Sequence, residues 1–246
     1  MMRIIFSRKG FDSSAGGGPS PIVDGRPLSL PIPAGAASAT TYGDLGLGEL
    51  AAKSSRGRIH ARDLCHHDPM FRNDGTCVFG QCGAAQTHLE RQGVKPGDVF
   101  VFFGLFADED TGEPHHRIFG YLRTDEMISL ANGVPHDLQE MRHPHALAMH
   151  HRNDCIWRGE GVEAARASDA LRLTVPGGPP SLWRRPDWLK RGGLSYHDRA
   201  DRWLRGKHAQ RRLQSVARGQ EFVADIGRRQ APRDWLDRII AEIRAS

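Results

Sequence analysis

The run Val99–Phe106 (VFVFFGLF) constrains this chain more than any other stretch. It is aromatic and β-branched, and the turn residues Val94–Asp98 (VKPGD) feed into it, which is the pattern of a β-strand. Arg117–Arg123 (RIFGYLR) reads as its hairpin partner, with the polar Asp108–Pro114 stretch as the connecting loop. A strand pair entered through Gly-Asp also occurs in small β-barrels. The expected class is therefore α+β: a mixed or antiparallel sheet, a small β-barrel being one form of it, with surrounding helices and a helical C-terminal tail.

Other elements arrange themselves around that pair. Arg3–Ser7 (RIIFS) reads as a short buried strand that stops at Arg8–Pro21 (RKGFDSSAGGGPSP), a stretch too rich in Gly, Ser and Pro to continue it. Leu28–Ile32, Asn153–Trp157 and Leu171–Val175 are further extended candidates. Leu45–Lys53 and Gly80–Gln92 have helical composition, the second stopping at Gly93. Pro-Gly-Gly-Pro-Pro after Val175 marks a boundary, which divides the chain into a core of residues 1–176 and a basic, aromatic, helical extension of residues 177–246 packed on it. The end of that extension, Arg233–Ala245, places Trp235, Leu236, Ile239, Ile240 and Ile243 on one helical face.

With 246 residues the chain can bury a substantial core, and no apolar run approaches the roughly 20 residues of a membrane helix. Met1–Phe6 is too short for a secretory signal, so a cytoplasmic protein without membrane association is expected. Cys65, Cys77, Cys82 and Cys155 are too few and too irregularly spaced for a disulfide framework and are expected as reduced thiols. The net charge of +5 permits a polyanionic partner, and the charge is concentrated. From Trp183 to Arg218, eleven Arg and Lys residues alternate with Trp183, Trp188, Tyr196 and Trp203. That mixture suits phosphate neutralisation with base stacking, or else a solvated face whose tryptophans fill the core.

Three constellations carry candidate chemistry. In the loop behind the first strand, Arg8, Lys9, Asp12, Ser13 and Ser14 accompany three consecutive glycines whose amides can approach an anion closely. The loop lacks the Gly-Lys-Ser/Thr ending of a nucleoside-triphosphate loop, and Pro19 and Pro21 forbid an immediate helix. Cys65-His66-His67-Asp68-Pro69 packs thiol, imidazole and carboxylate together, suited to proton transfer or to metal ligation. His143-Pro144-His145 lies in a run of histidines with His136, His150 and His151, and two imidazoles spaced this way with Asp68 would complete a mononuclear iron or zinc site. Neither HExxH nor paired CxxC is present, nor a GxSxG elbow for serine catalysis. Gln220 could read a base edge through its amide.

The opening IIFSRKGFDSSAGGGPSPI, SLPIP, CHHDP, FGQCGAAQTHL, the strand pair, HPH and the late RGQEFV together resemble the nucleotide modification associated domain 3 family over nearly the full chain. The resemblance implies a protein associated with hypermodified DNA bases or their precursors, and hence a nucleotide or DNA as partner. Positions matching its polar motifs are Ser7, Arg8, Lys9, Asp12, Ser13, Cys65, His66, Asp68, Gln81, His116, His145, His197 and Gln220. The expected reading is an enzyme that modifies a nucleobase or nucleotide. Asp12, Cys65, His66, Asp68 and His116 would be catalytic, and Ser7, Arg8, Lys9, Ser13, Gln81, His197 and Gln220 would bind substrate or phosphate. A divalent iron or zinc ion would sit on His66, Asp68, His143 and His145. The alternatives are a non-catalytic module that binds modified DNA, and an iron or zinc protein acting on a small molecule or peptide.

Overall fold

The computed structural model describes residues 2–35, 37–205, 211–217, 219 and 221–245, so Lys207, Arg218 and Gln220 lie outside the described residues. Its centre is a mixed sheet curled into a half-barrel, an α+β architecture. The spine runs β14 (Glu221–Gly227), β1 (Met2–Arg8), β8 (Val99–Asp108), β9 (Pro114–Ser129), β10 (Cys155–Glu160), β7 (Thr76–Gln81) and β6 (Met70–Phe71). Neighbours are antiparallel except β1 and β8, which run parallel with Ile4 opposite Val99 and Arg8 opposite Phe103. β2 (Ser20–Val23) takes over the same edge of β8 from Phe106 onward and pairs with β3 (Arg26–Pro27).

The uninterrupted apolar run of β8 is explained by burial on both faces. Val99, Val101 and Phe103 join Ile4 and Phe6 in one core with Trp183, Leu213 and the C-terminal helix α5 (Gln230–Ala245). Phe100, Phe102 and Phe106 join Ile5, Phe79 and Trp157 inside the curl. There the rings meet across strands that are not neighbours, Phe79 to Phe100 at 5.1 Å and Phe100 to Trp157 at 5.6 Å between centroids. Each such ring removed from water contributes about 1.5–3 kcal/mol. On α5, Leu236, Ile239, Ile240 and Ile243 are buried at helical spacing, and Trp235 packs against Phe6.

Several elements differ from the sequence expectation. Residues 80 and 81 close strand β7, and the helix α2 (Gly83–Arg91) starts only after Cys82, because the buried run Thr76–Gln81 is claimed by pairing with β10. β9 outruns its expected span, since beyond Arg123 it leaves β8 and pairs with β10. Leu171–Val175 forms single bridges and a short 3-10 turn (Asp169–Leu171) instead of a strand. Among the described residues of 177–246 the α-helix is α5. The basic aromatic stretch before it forms a three-stranded sheet of β11 (Leu182–Arg184), β13 (Arg211–Gln214) and β12 (Trp203–Arg205), while β14 joins the main sheet. The remaining short elements are α1 (Gly48–Ser54), β4 (Ile32–Pro33) paired with β5 (Cys65–His66), α3 (His136–Glu140) and α4 (Pro144–Leu147). The four cysteines are free thiols, and among the described residues no helix is long and apolar enough to cross a membrane.

Candidate functional site

Strand β1 leaves the edge of β8 at Arg8, opposite Phe103, and β2 rejoins it opposite Phe106. The Lys9 amide still donates to the Phe103 carbonyl at 2.8 Å, and Gly104 lets the chain turn away there, because a Cβ at that position would lie 2.7 Å from the Lys9 carbonyl oxygen. The polar loop is thereby ejected at the mouth of a cleft of about 410 Å³, whose walls include Lys9, Asp12, His66, Asp68, Gln81 and His145. Residues remote in the chain gather behind the first strand.

The His/Asp wall is braced from within. Asp68, 3% exposed, accepts on Oδ1 from the Gly80 amide at 2.9 Å and from His143 Nε2 at 3.2 Å, and its Oδ2 lies 3.8 Å from His66 Nε2. Burial alone would raise this carboxyl, but the bonds from His143 and His66 and the Lys9 charge hold it well below the ordinary carboxylate range. His143 is fully buried and engaged through both ring nitrogens, since its Nδ1 also accepts the His145 amide at 3.3 Å. It supports Asp68 and leaves no nitrogen for an ion.

His145 Nδ1 bonds the buried Asp154 carboxylate, which also accepts the His150 amide at 2.8 Å. That bond directs Nε2 away from Asp154 and fixes the ring orientation, as second carboxylates do for metal-ligating imidazoles. Burial outweighs the two carboxylates and lowers the His145 pKa, so the ring is neutral at pH 7 and can ligate. Gly80 is required here, because a Cβ would meet the His145 ring at 2.3 Å and the His143 ring at 2.9 Å. His66, Asp68 and His145 each offer a ligand atom, and these atoms lie within 4.8 Å of one another. Cys82, His145 and Asp154 form an overlapping set, but burial, followed by Asp154 and Asp68, raises the Cys82 thiol, and Asp154 is already bonded to His145.

Behind the lining residues Lys9 and Gln81, Glu221 is buried and its Oε1 accepts from Ser7 Oγ at 3.1 Å, Lys9 Nζ at 3.3 Å and Gln81 Nε2 at 2.8 Å. Its Oε2 has no partner among the described residues, and burial raises the carboxyl against the pull of Lys9, Ser7 and Gln81. Lys9 also sits 4.2 Å from the Phe79 ring centroid. Its ammonium is thus fixed at the cleft by one carboxylate and one aromatic face.

The other expected residues take varied places. Arg8 lines the cleft, but its terminal nitrogens donate to the Val216 and Ala217 carbonyls at 2.8 and 2.7 Å, so it ties down the C-terminal wall. Asp12 caps its own turn, with Oδ1 accepting from the Ser14 amide and hydroxyl and the Ala15 amide, and Ser13 is exposed. Cys65 is buried in a separate core under the loop, and burial pushes its thiol up to about 12. His116 accepts from Trp183 Nε1 at 2.9 Å, away from the cleft lining. His197 is buried between the Ser195 carbonyl and the Val216 amide, under the wall that Arg8 grips. Gln220 falls outside the described residues.

Sequence reasoning missed Glu221, Asp154 and the position of His150 on the cleft wall. The signal for Glu221 was its place beside Gln220 in RGQEFV, and for Asp154 its spacing nine residues after His145. Neither says what it faces. Of the aromatic residues near the basic stretch, Trp183 is buried and Trp188 and Trp203 pack against the core, while Tyr196 is 48% exposed and stacks on His88 at 4.4 Å.

No curated protein and no solved structure matches the chain. A family model does match, and it spans residues 3–225, which include every residue that lines the cleft. The chain belongs to the nucleotide modification associated domain 3 family.

Proposed function

We propose that this protein is an enzyme acting on a nucleotide or nucleobase in the cleft behind β1, with a divalent ion held by His66, Asp68 and His145. The observation that carries this reading is the meeting of those three donors, one neutral imidazole and one anionic carboxylate among them, in one cleft with the fixed Lys9 ammonium. Two imidazoles and a carboxylate suit iron, zinc or a similar divalent cation, which when bound would supply Lewis-acid polarisation and a more acidic water. Lys9 neutralises the phosphate, and the Arg8 charge adds to the local positive field while its guanidinium holds the 216–217 wall. His150, whose Nε2 lies 3.3 Å from the Pro144 carbonyl, presents its Nδ1 side as a proton acceptor beside His66 and His145. Asp12 holds the loop turn, and its second carboxylate oxygen is the other proton carrier.

A polynucleotide substrate is favoured by one further observation. Arg184, Arg185, Arg211 and Arg212 at the small sheet converge on one surface pocket, and the Tyr196 ring is exposed. Mass spectrometry of nucleotides and of single-stranded DNA incubated with the metal-loaded protein tests the proposal. A mass change made by the wild-type protein and lost in His145→Ala is expected. Tight, salt-sensitive DNA binding without a product, unchanged in His145→Ala, would favour a non-catalytic reader instead.

A further inference from the structure

The two adjacent histidines of the Cys65–Pro69 segment face different spaces. His66 and Asp68 line the cleft, whereas His67, Asp68 and Pro69 line a second cavity of about 400 Å³. Its walls mix polar groups, Arg26, Ser29 and His67 among them, with the apolar side chains of Leu45, Leu47, Leu50, Phe71 and Phe119. Into it faces Glu163, a carboxyl for which no hydrogen bond or ion pair exists among the described residues, with Arg26 as the cation within electrostatic reach. Burial pushes this carboxyl up to about 7.

The backbone that carries Glu163 is also held in place. The flanking backbone is pinned to β9 by Tyr121 N–H to the Val162 carbonyl at 3.2 Å and Ala164 N–H to the Phe119 carbonyl at 2.8 Å. Gly120 permits that approach, because a Cβ there would meet the Phe71 ring at 2.6 Å and the Val162 oxygen at 3.1 Å. A half-buried carboxyl without a partner is costly unless a ligand supplies the complementary donor and acceptor.

We propose that this cavity binds a planar nitrogen heterocycle bearing an amino group beside a ring nitrogen that accepts, the edge shared by cytosine and adenine, with Glu163 pairing to that edge. The volume suits a nucleoside and far exceeds what a lone ammonium group fills. Phe71 and Phe119 supply the apolar surface for the ring. The inference rests on the proposed action on nucleotides and assigns it a base-recognition compartment apart from the ion-binding wall.

Calorimetric titration of the full chain with cytidine, adenosine, guanosine and uridine tests it. Cytidine or adenosine binds, guanosine and uridine bind about tenfold more weakly or worse, and Glu163→Ala loses about tenfold or more. Glu163→Gln, which keeps a donor and an acceptor in the same shape, retains binding, and Leu50→Trp, which fills the cavity without touching the carboxyl, abolishes it. Unchanged binding in Glu163→Ala or Leu50→Trp overturns the proposal. If nucleosides fail to bind while nucleoside monophosphates bind in a way that Lys9→Ala abolishes, this compartment is refuted and the action on nucleotides stands. If nucleotides fail as well, both fall.

Discussion

Gln81, the last residue of β7, donates its amide to Glu221, the first residue of β14, at 2.8 Å across 140 positions of sequence. The two strands sit near opposite ends of the sheet order, so this bond exists because the sheet curls. Glu221 at once fixes Lys9 and joins the two walls of the cleft.

Glu221→Ala leaves the Lys9 ammonium with Phe79 and the field of Asp68 but no ion-paired carboxylate, and it removes the acceptor of Ser7 and Gln81. Loss of one partner of such a buried pair costs about 3–5 kcal/mol, and Glu221→Gln, which keeps one acceptor, should cost less. Urea denaturation of both variants checks the order. Equal and small losses would show that the carboxyl does not hold the walls together.

Asp154→Asn weakens the bond that orients His145. Divalent-ion affinity should fall about 10–100-fold, as it does when other outer carboxylates behind ligating imidazoles are removed. Competition with a metal-sensitive dye reads this directly, and unaltered affinity would remove His145 from the ligand set.

Gly80→Ala drives a methyl group into the His145 and His143 rings. Overpacking of this kind costs about 1–3 kcal/mol, and the expected signature is joint loss of stability and of ion binding. A folded variant with intact ion affinity would show that the ring positions are not set by this contact.

Acid sensitivity follows from His116. Burial first, then the Arg8 charge, lower its pKa from 6.5 to about 3, so between those values the unfolded chain binds a proton that the folded chain refuses. Stability therefore falls as pH drops below 6.5, by about 1.4 kcal/mol per unit for this one group. Burial lowers His67, His145 and His197 as well, which adds to the slope. His116→Asn keeps an acceptor for Trp183 and should flatten the stability curve between pH 6 and 4 by about that one-proton slope. An identical slope in both proteins would contradict the assignment.

Much of the frame could be read before any coordinates. The strand at Val99–Phe106, its partner, the strand at Arg3–Ser7 and the final helix follow from composition and period, because each carries its own burial pattern. The motif residues Lys9, His66, Asp68, Gln81 and His145 do share one cleft. What sequence alone could not reveal is orientation. Nothing in Cys65-His66-His67 tells which ring faces the cleft, and nothing in His143-Pro144-His145 tells that the first ring braces the carboxylate while the second faces the opening. The basic stretch misled for a related reason. Its arginines fit a helix or a strand equally well, and pairing of Leu182–Arg184 and Trp203–Arg205 with Arg211–Gln214 decided the matter through contacts remote in sequence.

The most direct test of the central claim is equilibrium dialysis of metal-stripped wild-type protein and His145→Ala against iron(II) and zinc, followed by elemental analysis. The account predicts about one tightly held divalent ion per wild-type chain and none in the variant. Equal uptake by both proteins, or none by either, would contradict it.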